Sequence, residues 1–64
     1  MSTIHECRAF RSASLQQARA LRAAIPRQLS AQVADLMRGE AERLEAAADE
    51  WRRRIERLQE AAEA

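Results

Sequence analysis

The residues best suited to chemistry in this chain are few. Cys7 and His5 are its only thiol and its only imidazole. At i and i+2 they point to different sides of a helix, and no second His or Cys pair completes a coordination set. No serine is placed with a histidine and an acid to suggest a nucleophile, and one glycine in the whole sequence leaves no phosphate-cradling loop. The expectation is no catalytic residue, no metal, no cofactor and no enzyme.

The charged residues offer binding chemistry instead. All eleven basic residues are arginine. Arg52, Arg53, Arg54 and Arg57 could grip phosphates, but Asp49, Glu50, Glu56 and Glu60 lie at helical spacing from them and neutralise the cluster. Arg8, Arg11, Arg19 and Arg22 make a cleaner basic edge, able to follow a nucleic-acid backbone or to meet the acidic second half of the chain. Residues 1–38 carry six Arg against Glu6 and Asp35, a balance of +4, and residues 39–64 carry five Arg against eight acids, a balance of −3. Opposite fields favour an antiparallel arrangement of the two halves, within a chain or between chains. Trp51, the single tryptophan, lies on an apolar stripe, where such a residue is either core or the anchor of an interface.

The elements that position these residues should all be helices. Fifteen alanines, no tyrosine, one Gly and one Pro leave few strand formers. Thr3 followed by Glu6 reads as a capping box, so a first helix should begin near Ile4 and run to about residue 24. Its stripe is Ile4, Cys7, Phe10, Ser14, Ala18, Leu21 and Ile25. Pro26 lacks an amide and disfavours helix at Ile25, which places the break there and suits Pro26 to open a second helix over about residues 27–62. That second helix carries Leu29, Val33, Leu36, Glu40, Leu44, Ala47, Trp51, Ile55, Leu58 and Ala62, a spacing nearer to an eleven-residue repeat than to a heptad. The stripe keeps its phase through Gly39, and no capping residue follows that glycine, so continuation is expected there. A Pro-kinked long helix and a three-helix bundle broken at Gly39 are the alternatives.

The reading is therefore an all-α helical hairpin, one helical domain over residues 1–64, assembling as a dimeric bundle. Chains this short gain too little burial alone, and a lone cysteine excludes an internal disulfide and suits a reducing cytoplasm. No apolar run approaches the ~20 residues that span a bilayer, and no basic-then-apolar leader opens the sequence. Arginine and alanine in place of lysine suggest a GC-rich bacterial or phage genome. If the two helices start flush at Pro26, the shorter leaves the longer uncovered from about Ala48 onward. Leu44, Trp51, Ile55 and Leu58 are then the expected oligomer or partner interface. The expected function is a self-associating protein-interaction module that regulates, inhibits or chaperones a partner protein. The alternative is a small dimeric RNA- or DNA-binding regulator that uses Arg8, Arg11, Arg19 and Arg22.

Overall fold

The computed structural model describes residues 3–63. Two α-helices, α1 (Ile4–Ala24) and α2 (Ala31–Glu63), pack against each other as a hairpin, joined by a 3-10 turn at Ile25–Arg27 and three further residues. Strands are absent among the described residues. The molecule measures 52 × 16 × 14 Å, the shape of two helices side by side.

The start of α1 follows from its cap. Thr3 has extended backbone angles (φ −81°, ψ 165°), and its hydroxyl oxygen accepts from the Glu6 amide at 3.1 Å. The Glu6 carboxylate in turn accepts from the Thr3 hydroxyl at 3.3 Å, and a carboxylate in the first turn suits the positive end of the helix dipole. At the other end the Ile25 amide donates to Leu21 O, the Gln28 amide closes the turn on Ile25 O at 3.1 Å, and the Gln28 side chain donates to Ala24 O at 3.2 Å. These bonds satisfy carbonyls that a helix end leaves orphaned.

Helix α2 begins at Ala31, four residues later than the expected start at residue 27. Pro26 sits in the 3-10 turn rather than opening the second helix, because Gln28 turns extended (ψ 132°) directly after it. The start is set by Ser30, whose hydroxyl accepts from the Val33 amide at 3.4 Å while its carbonyl accepts from Ala34 at 3.1 Å. From there α2 runs unbroken through Gly39 to Glu63, with no residue at positive φ, as the unbroken phase of its apolar positions predicts.

The interface between the helices is a heptad seam. On α2 the buried and half-buried positions include Ala34, Met37, Ala41, Leu44, Ala48, Trp51, Ile55 and Leu58, at alternating steps of three and four. On the α1 side, Ile4, Cys7, Arg11, Ser14, Ala18, Leu21 and Ile25 follow the same rhythm. A strict seven-residue repeat is the seam of a coiled coil, and the small residues Cys7, Ala18, Ala34, Ala41 and Ala48, all buried, let the two backbones come close. This corrects the eleven-residue stripe at its first half: Leu29, Val33, Leu36 and Glu40 are exposed. The physical reason lies in the seams themselves. The heptad places no acid in the α2 seam, whereas the longer repeat would bury Glu40. Phe10 likewise leaves the α1 seam, where Arg11 takes its place, half-buried.

The register of the hairpin also differs from a flush start. Arg22 meets Glu45 and Phe10 meets Trp51, so α1 runs alongside α2 from about Gly39 onward. The overhang is therefore at the connector end. The connector carries the chain past the end of α1 before α2 turns back, and the segment from Ala31 to about Gly39, ~12 Å of helix, extends beyond Ala24. The 3-10 turn packs beside it.

Candidate interaction surface

Helix α2 holds the four residues expected to face a partner against α1 of its own chain. Ile55 is buried, and Leu44, Trp51 and Leu58 are half-buried, all on the heptad seam. Trp51 stacks on Phe10 with ring centroids 5.0 Å apart and planes inclined by 27°. The Arg54 guanidinium lies 4.8 Å from the Trp51 ring centroid, a cation–π contact on the ring's outer side. The expectation that Trp51, Ile55 and Leu58 lie beyond the reach of α1 is thus corrected by the register: α1 covers this end of α2, and the other end packs on the 3-10 turn instead.

The four α1 arginines meet different partners. Arg22 is clamped by Glu45 through two parallel bonds, Nε to Oε2 at 2.8 Å and Nη2 to Oε1 at 2.5 Å. This fork raises the Arg22 pKa and holds the Glu45 carboxyl below its usual value, through hydrogen bonding first, with Coulomb attraction adding and partial burial opposing. Arg8 and Arg11 line an open groove with Arg52, Ile55, Glu56 and Gln59. Arg19 is exposed. The second arginine cluster is laced to acids on its own helix: Arg52 to Asp49 and Glu56, Arg53 to Glu50, and Arg57 to Glu50. Such pairs mark a solvated face.

His5 is exposed and Cys7 is buried, so their side chains do not meet a common ligand position. Among the described residues no group of His, Cys, Asp or Glu is placed to hold a metal ion. No helix among them is long and apolar enough to cross a membrane.

The exposed apolar side chains lie elsewhere than the sequence reading placed them. Leu29 is fully exposed at 105%, Leu36 is 72% exposed, Val33 41% and Phe10 48%. The first three sit on or beside the overhang, where α1 has already ended. Covering Leu29 would contribute roughly 1.5–3 kcal/mol, and covering the exposed parts of Leu36 and Val33 proportionally less. The fully buried seam positions are, by contrast, mostly alanine, worth about 0.8 kcal/mol per methyl. The strongest apolar residues of this half of α2 are thus outside the hairpin's own core. The sequence signal that separates the two faces is the run Ala34, Ala41, Ala48, Ile55 at steps of seven. Comparison with protein-family models, curated protein sequences and solved structures finds no match to this chain.

Proposed function

We propose that this chain is a protein-interaction module which self-associates and binds a partner protein, acting as a regulator, inhibitor or chaperone of it. The observation that carries this reading is the exposed pair Val33 and Leu36 on the overhanging part of α2, with Leu29 exposed in the connector beside it. Exposed apolar residues grouped on one helical face, as Val33 and Leu36 are, are what a groove-binding helix presents. The hairpin acts as the scaffold, with its alanine seam holding the overhang rigid. The role is one of binding, in the cytoplasm of a bacterium or of a cell infected by a phage. Affinity capture from an extract of the source organism tests it. The wild-type chain should retain a defined protein partner, and Val33→Glu with Leu36→Glu should lose it while leaving the far-ultraviolet circular dichroism unchanged. Retention of the same partner by the double variant would overturn the assignment of this face.

One observation favours a second reading, RNA or DNA binding along α1. Arg8, Arg11 and Arg19 make no ion pair among the described residues and share one edge of that helix. Arg22, which completes the edge, is engaged by Glu45. A gel-shift titration with duplex RNA and DNA over a range of salt separates the two readings, because phosphate binding weakens steeply as salt rises. We expect no shift at physiological salt.

A further inference from the structure

The flank of the seam that carries the Arg22–Glu45 fork continues along the hairpin away from the connector. In the antiparallel register that this pair sets, one heptad further along each helix places Leu15 opposite Arg52, and a second places Arg8 opposite Gln59. Glu45 gives Arg22 an acid from across the hairpin, whereas no acid takes that place for Arg52 or Arg8. Arg52 is balanced from its own helix, by Asp49 at 3.8 Å and Glu56 at 3.4 Å. Arg11 stands on the seam beside them and is half-buried, and Ile55 on the facing helix is buried. Neither Arg8 nor Arg11 makes an ion pair or a side-chain hydrogen bond among the described residues. Together with Arg52, Ile55, Glu56 and Gln59 they line an open groove of about 540 Å³.

We infer that this groove binds a small phosphate monoester, held by Arg8 and Arg11 with its organic group against Ile55. The charge balance selects the ligand. Three arginines face one glutamate in the groove, and because Glu56 pairs with Arg52, the excess is the two cations of Arg8 and Arg11. A phosphate monoester near neutral pH carries about −1.5 to −2 and offers three acceptor oxygens, so it matches both guanidinium groups at once. A carboxylate carries one charge and leaves one of the two arginines unmatched. The half-burial of Arg11 strengthens the preference, since a cation partly withdrawn from water gains more from an anion beside it than an exposed one does. Gln59 adds a neutral amide donor on the α2 side, and the groove's volume falls in the range of small-molecule sites, about 300–1,000 Å³. The arginines do not form a track for a polymer: Arg22 is taken by Glu45, and Arg19 lies ~12 Å of helix beyond Arg11. The groove is at the opposite end of α2 from Val33 and Leu36, so it stands independently of the interaction-module reading.

Titration of the purified chain with phenyl phosphate at about 0.15 M salt, followed by the NMR signals of arginine Nε–H groups and backbone amides, tests the site. The signals of Arg8, Arg11 and Gln59 should move together to saturation. Inorganic phosphate should move the same signals at lower affinity, because it leaves Ile55 uncovered. Benzoate, which carries the same ring on a carboxylate, should bind about tenfold more weakly than phenyl phosphate. Arg8→Gln, at an exposed position that leaves the seam intact, should weaken phenyl phosphate by about tenfold, the loss of one charge-assisted contact. Arg19→Gln should change nothing. Equal weakening by Arg19→Gln, or shifts spread over all the arginines without saturation, would show anions gathered by surface charge alone and overturn the site. Benzoate binding as tightly as phenyl phosphate would overturn the choice of phosphate. An RNA oligonucleotide that shifts Arg8, Arg11 and Arg19 alike and displaces phenyl phosphate would give these arginines to a polymer backbone and overturn the small ligand.

Discussion

At the scale of single residues, the Arg22–Glu45 fork links the helices across 23 positions of sequence and makes stability depend on pH. Glu45 titrates below its ordinary value in the folded chain because Arg22 donates to its charged form. Its contribution is therefore fully present above the unfolded carboxylate range, about pH 4.3, and is lost as pH falls through the lowered folded value. Glu45→Gln should flatten the stability profile in that acid window, and Arg22→Gln should do the same, as read from urea unfolding at a series of pH values. A profile as steep in both variants as in the wild type would show that the pair does not carry the dependence. Phe10 and Trp51 make the other long-range link. A double-mutant cycle with Phe10→Ala and Trp51→Ala should return a coupling of about 0.5–1.5 kcal/mol, the range of offset-stacked aromatic pairs.

At the scale of elements, what the sequence disclosed depended on whether local chemistry or packing made the choice. The bounds of α1 were legible from residues inside a few positions of each end, Thr3 and Glu6 at one and Pro26 at the other, and Ile4–Ala24 is what the structure shows. The passage of α2 through Gly39 was legible too, because helix phase survives a glycine that nothing follows to cap. The start of α2 and the hairpin register were not. Ser30 is a cap whose effect is visible only once Gln28 is known to leave helical geometry, and register depends on how far a connector carries the chain, which has no periodicity to read. The identity of the seam turned on alanines. Hydrophobicity alone ranks Leu29, Val33 and Leu36 above Ala34 and Ala41, yet close packing prefers the small residues. Two substitutions on α2 separate these effects. Gly39→Ala adds a methyl that meets nothing within 4 Å and should stabilise the chain by up to about 1 kcal/mol through helix propensity. Ala41→Leu, at a position with 0% exposure, forces the helices apart and should destabilise by about 1–3 kcal/mol. Denaturant titration of both variants checks the pair; an Ala41→Leu chain more stable than wild type would mean that the seam is not closely packed.

At the scale of the whole molecule, a hairpin 52 Å long and only 16 × 14 Å across has much surface for little interior. The fully buried positions of its seam are mostly small side chains, and Leu29, Val33 and Leu36 near the connector lie outside it. The hairpin alone therefore gains little from burial, and under the self-association proposed above a partner copy covering Val33 and Leu36 would add apolar burial to both chains at once. Folding and association would then be one equilibrium, whose midpoint would depend on protein concentration by mass action. A tenfold rise in concentration should raise the thermal midpoint of the wild type by about 5 °C, the response to roughly 1.4 kcal/mol in a small two-chain unit. Leu36→Glu should remove that dependence and leave a lower midpoint that is the same at every concentration. Calorimetry of the two proteins at 10 µM and 100 µM, taken here as about the useful range for midpoints shifted by mass action, reads both effects in one series. A wild-type midpoint that does not move with concentration would place the whole stability of the chain in its alanine seam.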